Sequence, residues 1–185
     1  MSTWHLDDLL IQLNNSNDSK RSEAAKQLGN LGAIEALPDL LRLMMDSSPS
    51  IWTLTKNAEP QNTEEHPRVH AYRAAKNIAS TEDLLRALVH RKYPEVRAGA
   101  AYLLAESSPA DSERVCTALE NACSDPELIV RFEAMRALGR QGALSVEKAI
   151  PFLKDHGSRM QFEALSALRN SPDIKADKML LSWLK

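Results

Sequence analysis

Histidine, cysteine and closely set acids carry most metal and nucleophilic chemistry, and this chain holds few of them at useful spacings. The histidines are His5, His66, His70, His90 and His156, and only His66 and His70 stand four residues apart. Flanked by Glu64 and Glu65, that pair suits adventitious metal at most. Cys116 and Cys123 are the only cysteines. Seven residues apart on one predicted helix, they share a face with a rise of about 10 Å between them. A disulfide needs Cα atoms closer than about 7 Å, so the two are predicted to be small buried residues. No stretch forms a nucleophile elbow, a phosphate loop or an acid–base dyad. The expectation is a chain with no catalytic residue, no metal and no cofactor.

The elements that position these side chains are legible from a recurrence. Alanine-rich segments lie at Arg21–Gly29, Ala74–Ala79, Arg97–Leu104, Arg131–Gly139 and Gln161–Leu168. With Ala24, Ala74, Ala100, Ala134 and Ala164 equivalent, the offsets are 50, 26, 34 and 30. A unit of about 30 residues with one insertion describes stacked helix pairs. Leu37, Leu40, Leu41 and Met44 follow the i, i+3, i+4, i+7 rule for the first helix of a pair. Pro38, and Pro151 in its turn, are placed in a first helical turn, where a missing N–H is tolerated. The predicted pairs are 5–14/18–29, 34–45/67–79, 82–90/94–105, 110–123/126–139 and 146–154/158–169, with a capping helix at 174–184.

This is an all-α fold, an α-solenoid of about five helix pairs within a single domain over 1–185. Ala24, Leu28, Ala75, Ile78, Ala101, Leu104, Ala134, Leu138, Ala164 and Leu168 are predicted to be buried between layers. Aromatic residues make up only 5 % of the chain, so alanine and small aliphatics must build the core. Trp4 and Trp183 are assigned to covering its two ends. The insertion spans about 46–65 and carries Ile51, Trp52 and Leu54. Loops of that length in compact folds tend to be functional or disordered. The start of the chain lacks a basic stretch and there is no apolar run of membrane length, so a cytoplasmic protein is expected.

Asp125-Pro126 followed by Val130–Gly139, and Lys20–Gly32 followed by Ala36–Leu41, resemble the short HEAT-like repeat of phycobilin lyase subunits, an armadillo-like fold. The resemblance implies that the second helix of each pair lines a concave face. One enzyme class built from such repeats, deoxyhypusine hydroxylase, binds two irons through His-Glu pairs. The matching positions here are Ser22-Glu23, Ala98-Gly99, Phe132-Glu133 and Phe162-Glu163. Phenylalanine cannot ligate iron, which excludes that activity. Glu23, Glu133 and Glu163 are read instead as first-turn acids favoured by the helix dipole.

Charge then points to binding. The net charge is −2, yet the second-helix windows hold twelve Lys and Arg against five Asp and Glu. A concave face of one sign concentrates ligands of the other. In the family, Arg21, Arg97 and Arg131 occupy a repeated position that pairs with acids of adjoining turns. Lys26, Arg68, Arg73, Lys76, Arg136, Arg140, Arg159 and Arg169 remain. The predicted function is a non-catalytic protein-binding scaffold or adaptor. Trp52, Arg68, Arg73, Lys76, Arg136 and Arg140 are its partner-binding residues, and an acidic protein segment is its ligand. Nucleic-acid binding, as in HEAT-like alkylpurine DNA glycosylases, is the first alternative. A pI near 6.2 argues against it, because such domains are usually basic. A lyase-type accessory role with a tetrapyrrole is the second.

Overall fold

The computed structural model describes residues 5–46, 66–106, 112–154, 158–169, 171 and 174–183. Among them every regular element is helical. Trp4 and the 47–65 part of the insertion, with Ile51, Trp52 and Leu54, lie outside the described residues, as does the side chain of Trp183. Contacts gather the chain into two compact units, Met1–Asp83 and Leu84–Lys185.

The first unit contains α1 (Leu6–Leu13), α2 (Asp18–Leu31), a 3-10 turn (Ile34–Ala36), α3 (Leu37–Met45) and α4 (Pro67–Ile78). Asn17 caps α2 by accepting the Lys20 N–H at 3.2 Å. The cap satisfies one of the amides that a helix start leaves unpaired. Helix α3 buries Leu37, Leu40, Leu41, Leu43 and Met44, each contributing about 2 kcal/mol of apolar burial. At α4, Pro67 takes the first helical position and the His66 Nδ1 accepts the Arg68 N–H at 3.3 Å. Burial depresses the His66 pKa, with Arg68 and Arg21 adding to the effect. The neutral ring that can accept this bond is thereby favoured.

Helix α2 packs against α4 with little between them. A Cβ built on Gly29 would lie 2.9 Å from the Ala74 Cβ. The Asn77 amide spans the same contact, donating to the Gly29 carbonyl at 3.1 Å.

Helix α5 (Thr81–Leu88) follows and contains the division between units. Its start is a reciprocal box in which the Ser80 N–H donates to the Asp83 carboxylate and the Asp83 N–H to the Ser80 hydroxyl. The second unit continues with α6 (Pro94–Leu104), α7 (Ser112–Ala122), α8 (Leu128–Arg140), α9 (Val146–Leu153), α10 (Ser158–Leu168) and α11 (Ile174–Trp183). Helix α8 packs on α6, α7 and α10, and α9 packs on α10. Helix α6 buries Val96, Ala98, Gly99, Ala100, Ala101, Leu103 and Leu104, nearly its whole circumference. A Cβ on Gly139 of α8 would meet the Ala167 Cβ of α10 at 2.4 Å.

One terminator is used in both units. Gly32 and Gly142 each have φ 66°. Beside them the Ala33 N–H donates to the Leu28 carbonyl at 3.1 Å, and the Ala143 N–H to Leu138 at 2.9 Å. These are 6→1 Schellman closures, and the left-handed residue they need is glycine.

The layers match the expected burial at every named position except Ile78, which is half-buried in the last turn of α4. Two local readings change. Pro151 stands in the second turn of α9, because that helix begins at Val146. Glu23, Glu133 and Glu163 likewise fall in second turns, since α2, α8 and α10 start at Asp18, Leu128 and Ser158. No helix among the described residues is long and apolar enough to cross a membrane.

Candidate interaction surface

The repeated arginines hold turns together. Arg97 clamps Asp125 with two bonds, Nε to Oδ2 at 2.8 Å and Nη2 to Oδ1 at 2.9 Å, and also donates to the His90 carbonyl. A bidentate pair of this kind is strong and directional. The hydrogen bond to Asp125 raises the Arg97 pKa. Burial pushes the Asp125 carboxyl upward, but bonds from Arg97 and the Glu127 N–H, with the charge of Arg131, hold it below its ordinary value. Arg21 pairs with Asp18 and Asp46. Arg131 instead donates to the backbone carbonyls of Asp125 and Pro126, at 2.8 and 2.7 Å.

Of the expected partner-binding residues, Arg68 and Arg136 are buried. The Arg68 Nε donates to the Met44 carbonyl at 3.3 Å, tying α4 to the end of α3, and burial lowers its pKa. Arg136 lies 3.2 Å from Glu133 and 3.6 Å from Glu163 and sits over the Phe132 ring at 5.5 Å. These two arginines are structural cations, Arg68 bonded to a backbone carbonyl and Arg136 paired with carboxylates, each on the packed flank of its helix. Burial raises the Glu133 pKa, opposed by Arg136 and Arg140. Glu133 and Glu163 are therefore joined by a guanidinium of the chain itself. Among the described residues no group of three or more His, Cys, Asp or Glu is arranged to hold a metal ion.

Arg73, Lys76 and Arg140 are exposed. The Lys76 ammonium donates to the Tyr72 hydroxyl at 3.4 Å and lies 5.7 Å from that ring. Arg140 lies over Tyr102 at 5.0 Å. Trp52 is outside the described residues.

The sequence reading overlooked the aromatics beside these cations. Tyr72, Tyr102, Phe132 and Phe162 follow one another at intervals of 30 residues, one on each of α4, α6, α8 and α10. The signal lay in the repeat period itself. The alanines recur on the same period and mask it. Phe162 remains 68 % exposed, which is unusual for a phenylalanine on the face of a packed helix.

The cysteines also differ from expectation. Cys123 is buried just beyond the end of α7, and its thiol is pushed up to about 11 by burial. Cys116 is only half-buried and its Sγ lies 3.2 Å from the Gln141 Oε1.

Helix pairs stacked through alanine and glycine contacts, several of them with an arginine-tied turn, define an α-helical repeat protein. Comparison with known families is more specific. Residues 81–169 match HEAT repeats and residues 20–44 match the PBS lyase HEAT-like repeat, so the chain is a HEAT-repeat protein. Two engineered proteins solved by the Northeast Structural Genomics Consortium resemble it at 21 % identity. One aligns over 98 % of this chain and 87 % of its own, with a TM-score of 0.47. The other aligns over 89 % and 78 %, with a TM-score of 0.42. No curated protein matches the chain.

Proposed function

We propose that the chain is a non-catalytic, cytoplasmic scaffold that binds an acidic segment of a partner protein along the second helices of its repeats. One observation carries this reading. Lys20, Lys26, Arg73, Lys76 and Arg140 are exposed on the described second helices, against Asp18 and Glu23. The excess of cations survives although the whole chain has a net charge of −2. Such separation steers an acidic partner toward one set of helices. The insertion bearing Trp52 belongs to the same proposal as an aromatic anchor, because tryptophan and arginine dominate binding hot spots.

The test is crosslinking in native lysate followed by mass spectrometry, then titration of the purified partner. Arg73→Glu with Lys76→Glu should slow association and weaken its salt dependence, and Trp52→Ala should speed dissociation. A partner bound equally well by wild type and by both variants would remove the scaffold reading from these helices. Capture of oligonucleotides in place of protein would favour the nucleic-acid alternative.

A further inference from the structure

We propose that Arg140, Tyr102 and Phe162 form a receptor for a short acidic–hydrophobic peptide segment. A carboxylate of the segment seats on Arg140, and an apolar side chain packs on Phe162. The proposal rests on the scaffold reading and gives it a particular site within the second unit.

Helix α8 carries three arginines. Arg131 is held by two backbone carbonyls and Arg136 by two carboxylates. Arg140 is exposed and lies over the Tyr102 ring at 5.0 Å, and among the described residues no hydrogen bond or ion pair engages its guanidinium. A guanidinium has five N–H donors, and contact with one ring cannot use them all. The remaining donors form the fork that a carboxylate fits. The ring also restricts the side chain before a ligand arrives, so less freedom is lost on binding.

The apolar half of the site follows from the repeat. On α8 the stripe Phe132, Arg136, Arg140 runs at four-residue steps, and Arg136 lies over the Phe132 ring. The corresponding stripe on α10 begins with Phe162 and Ser166, so serine stands where α8 has its covering arginine. The Phe162 ring is 68 % exposed.

The two halves can be placed relative to each other. Gly139 meets Ala167, and Arg136 pairs with Glu163, so α8 and α10 run parallel with Arg140 nearly level with Leu168. Phe162 then lies six residues back along α10, about 9 Å axially. Combined with an interhelical distance of 8–10 Å, this gives about 13 Å between the two backbone positions. The lean of Arg140 toward Tyr102 on α6 lengthens the span between the contacting groups. An extended peptide covers about 13 Å in about four residues, so the ligand is a segment with an Asp or Glu four or more residues from a Phe, Leu or Trp.

Selection of a phage-displayed random peptide library on the full chain tests this. Enriched peptides should combine acid and apolar residue at that spacing. Arg140→Gln and Phe162→Ala should each weaken the winning synthetic peptide at least tenfold, and Tyr102→Leu several-fold. Both Arg140 and Phe162 are exposed, so circular dichroism and melting should not change. Arg73→Glu with Lys76→Glu should leave the peptide affinity as it is. Peptides that depend on Arg73 and Lys76 but not on Arg140 would keep the scaffold reading and remove this site. Basic winners, no enrichment, or wild-type affinity in both Arg140→Gln and Phe162→Ala would overturn it.

Discussion

At the scale of residues, the polar chemistry of this chain is spent largely on its own turns. The Arg97–Asp125 clamp leaves both side chains about a tenth exposed. Cutting a well-buried pair costs 3–5 kcal/mol because a charge is stranded. Here Arg97→Ala should cost about 2–3 kcal/mol, measured by urea unfolding. Asp125 has a folded pKa below its unfolded value of about 3.9. Its contribution to stability is therefore present above that pH and is lost as pH falls through the lower folded value. Asp125→Asn should flatten the acid limb of the stability profile.

Cys123 behaves in the opposite sense. With its thiol near 11, it loses stabilising power as pH rises from about 9 toward 11. At pH 8 a maleimide should label Cys116 well before Cys123, and equal rates would contradict the burial described. The structural role of Arg97 and Arg21 was readable in the sequence from the family resemblance. The burial of Arg68 and Arg136 was not, because spacing gives a helical face but not which neighbour covers it.

At the scale of elements, glycine and alanine decide how closely the helices approach. Gly139→Ala would drive a methyl into Ala167, where no flexible side chain can yield. It should cost about 1–3 kcal/mol, as should Ala134→Leu. Gly142→Ala strains a left-handed residue with φ 66° and should cost about 1 kcal/mol. Thermal melts of the three variants would rank these effects. The alanine-rich helices were legible because their composition and spacing repeat together. Helix starts were legible too, each within a turn of its expected place. What the spacing did not give is the setting of Glu133, which lies in the second turn of α8 as a buried ion-pair partner and not as a dipole acid. A helix boundary does not say which neighbour covers a side chain.

At the scale of the whole molecule, stability in a repeat protein is close to a sum of intrinsic and nearest-neighbour terms. Gly139→Ala should therefore raise amide exchange first in α8 and α10, within the second unit, and leave α2 and α4 near their original protection. A uniform loss of protection across both units would show stronger cooperativity than this scheme allows. The order of helices was readable from the 30-residue recurrence. The candidate receptor was not, because the same period hid the aromatics behind the more conspicuous alanines.

The arginine ties have a mechanical consequence. Arg21 is joined to Asp46, and Arg97 to Asp125, each across nearly a full repeat of chain. A load drawn through the backbone must break such a tie before the residues it encloses can extend. With the partners of the second tie 28 positions apart, its rupture releases roughly 90 Å of contour length. Held in an optical trap, the second unit should lengthen in steps of that order. With Arg97 replaced by alanine, the first of them should occur at lower force.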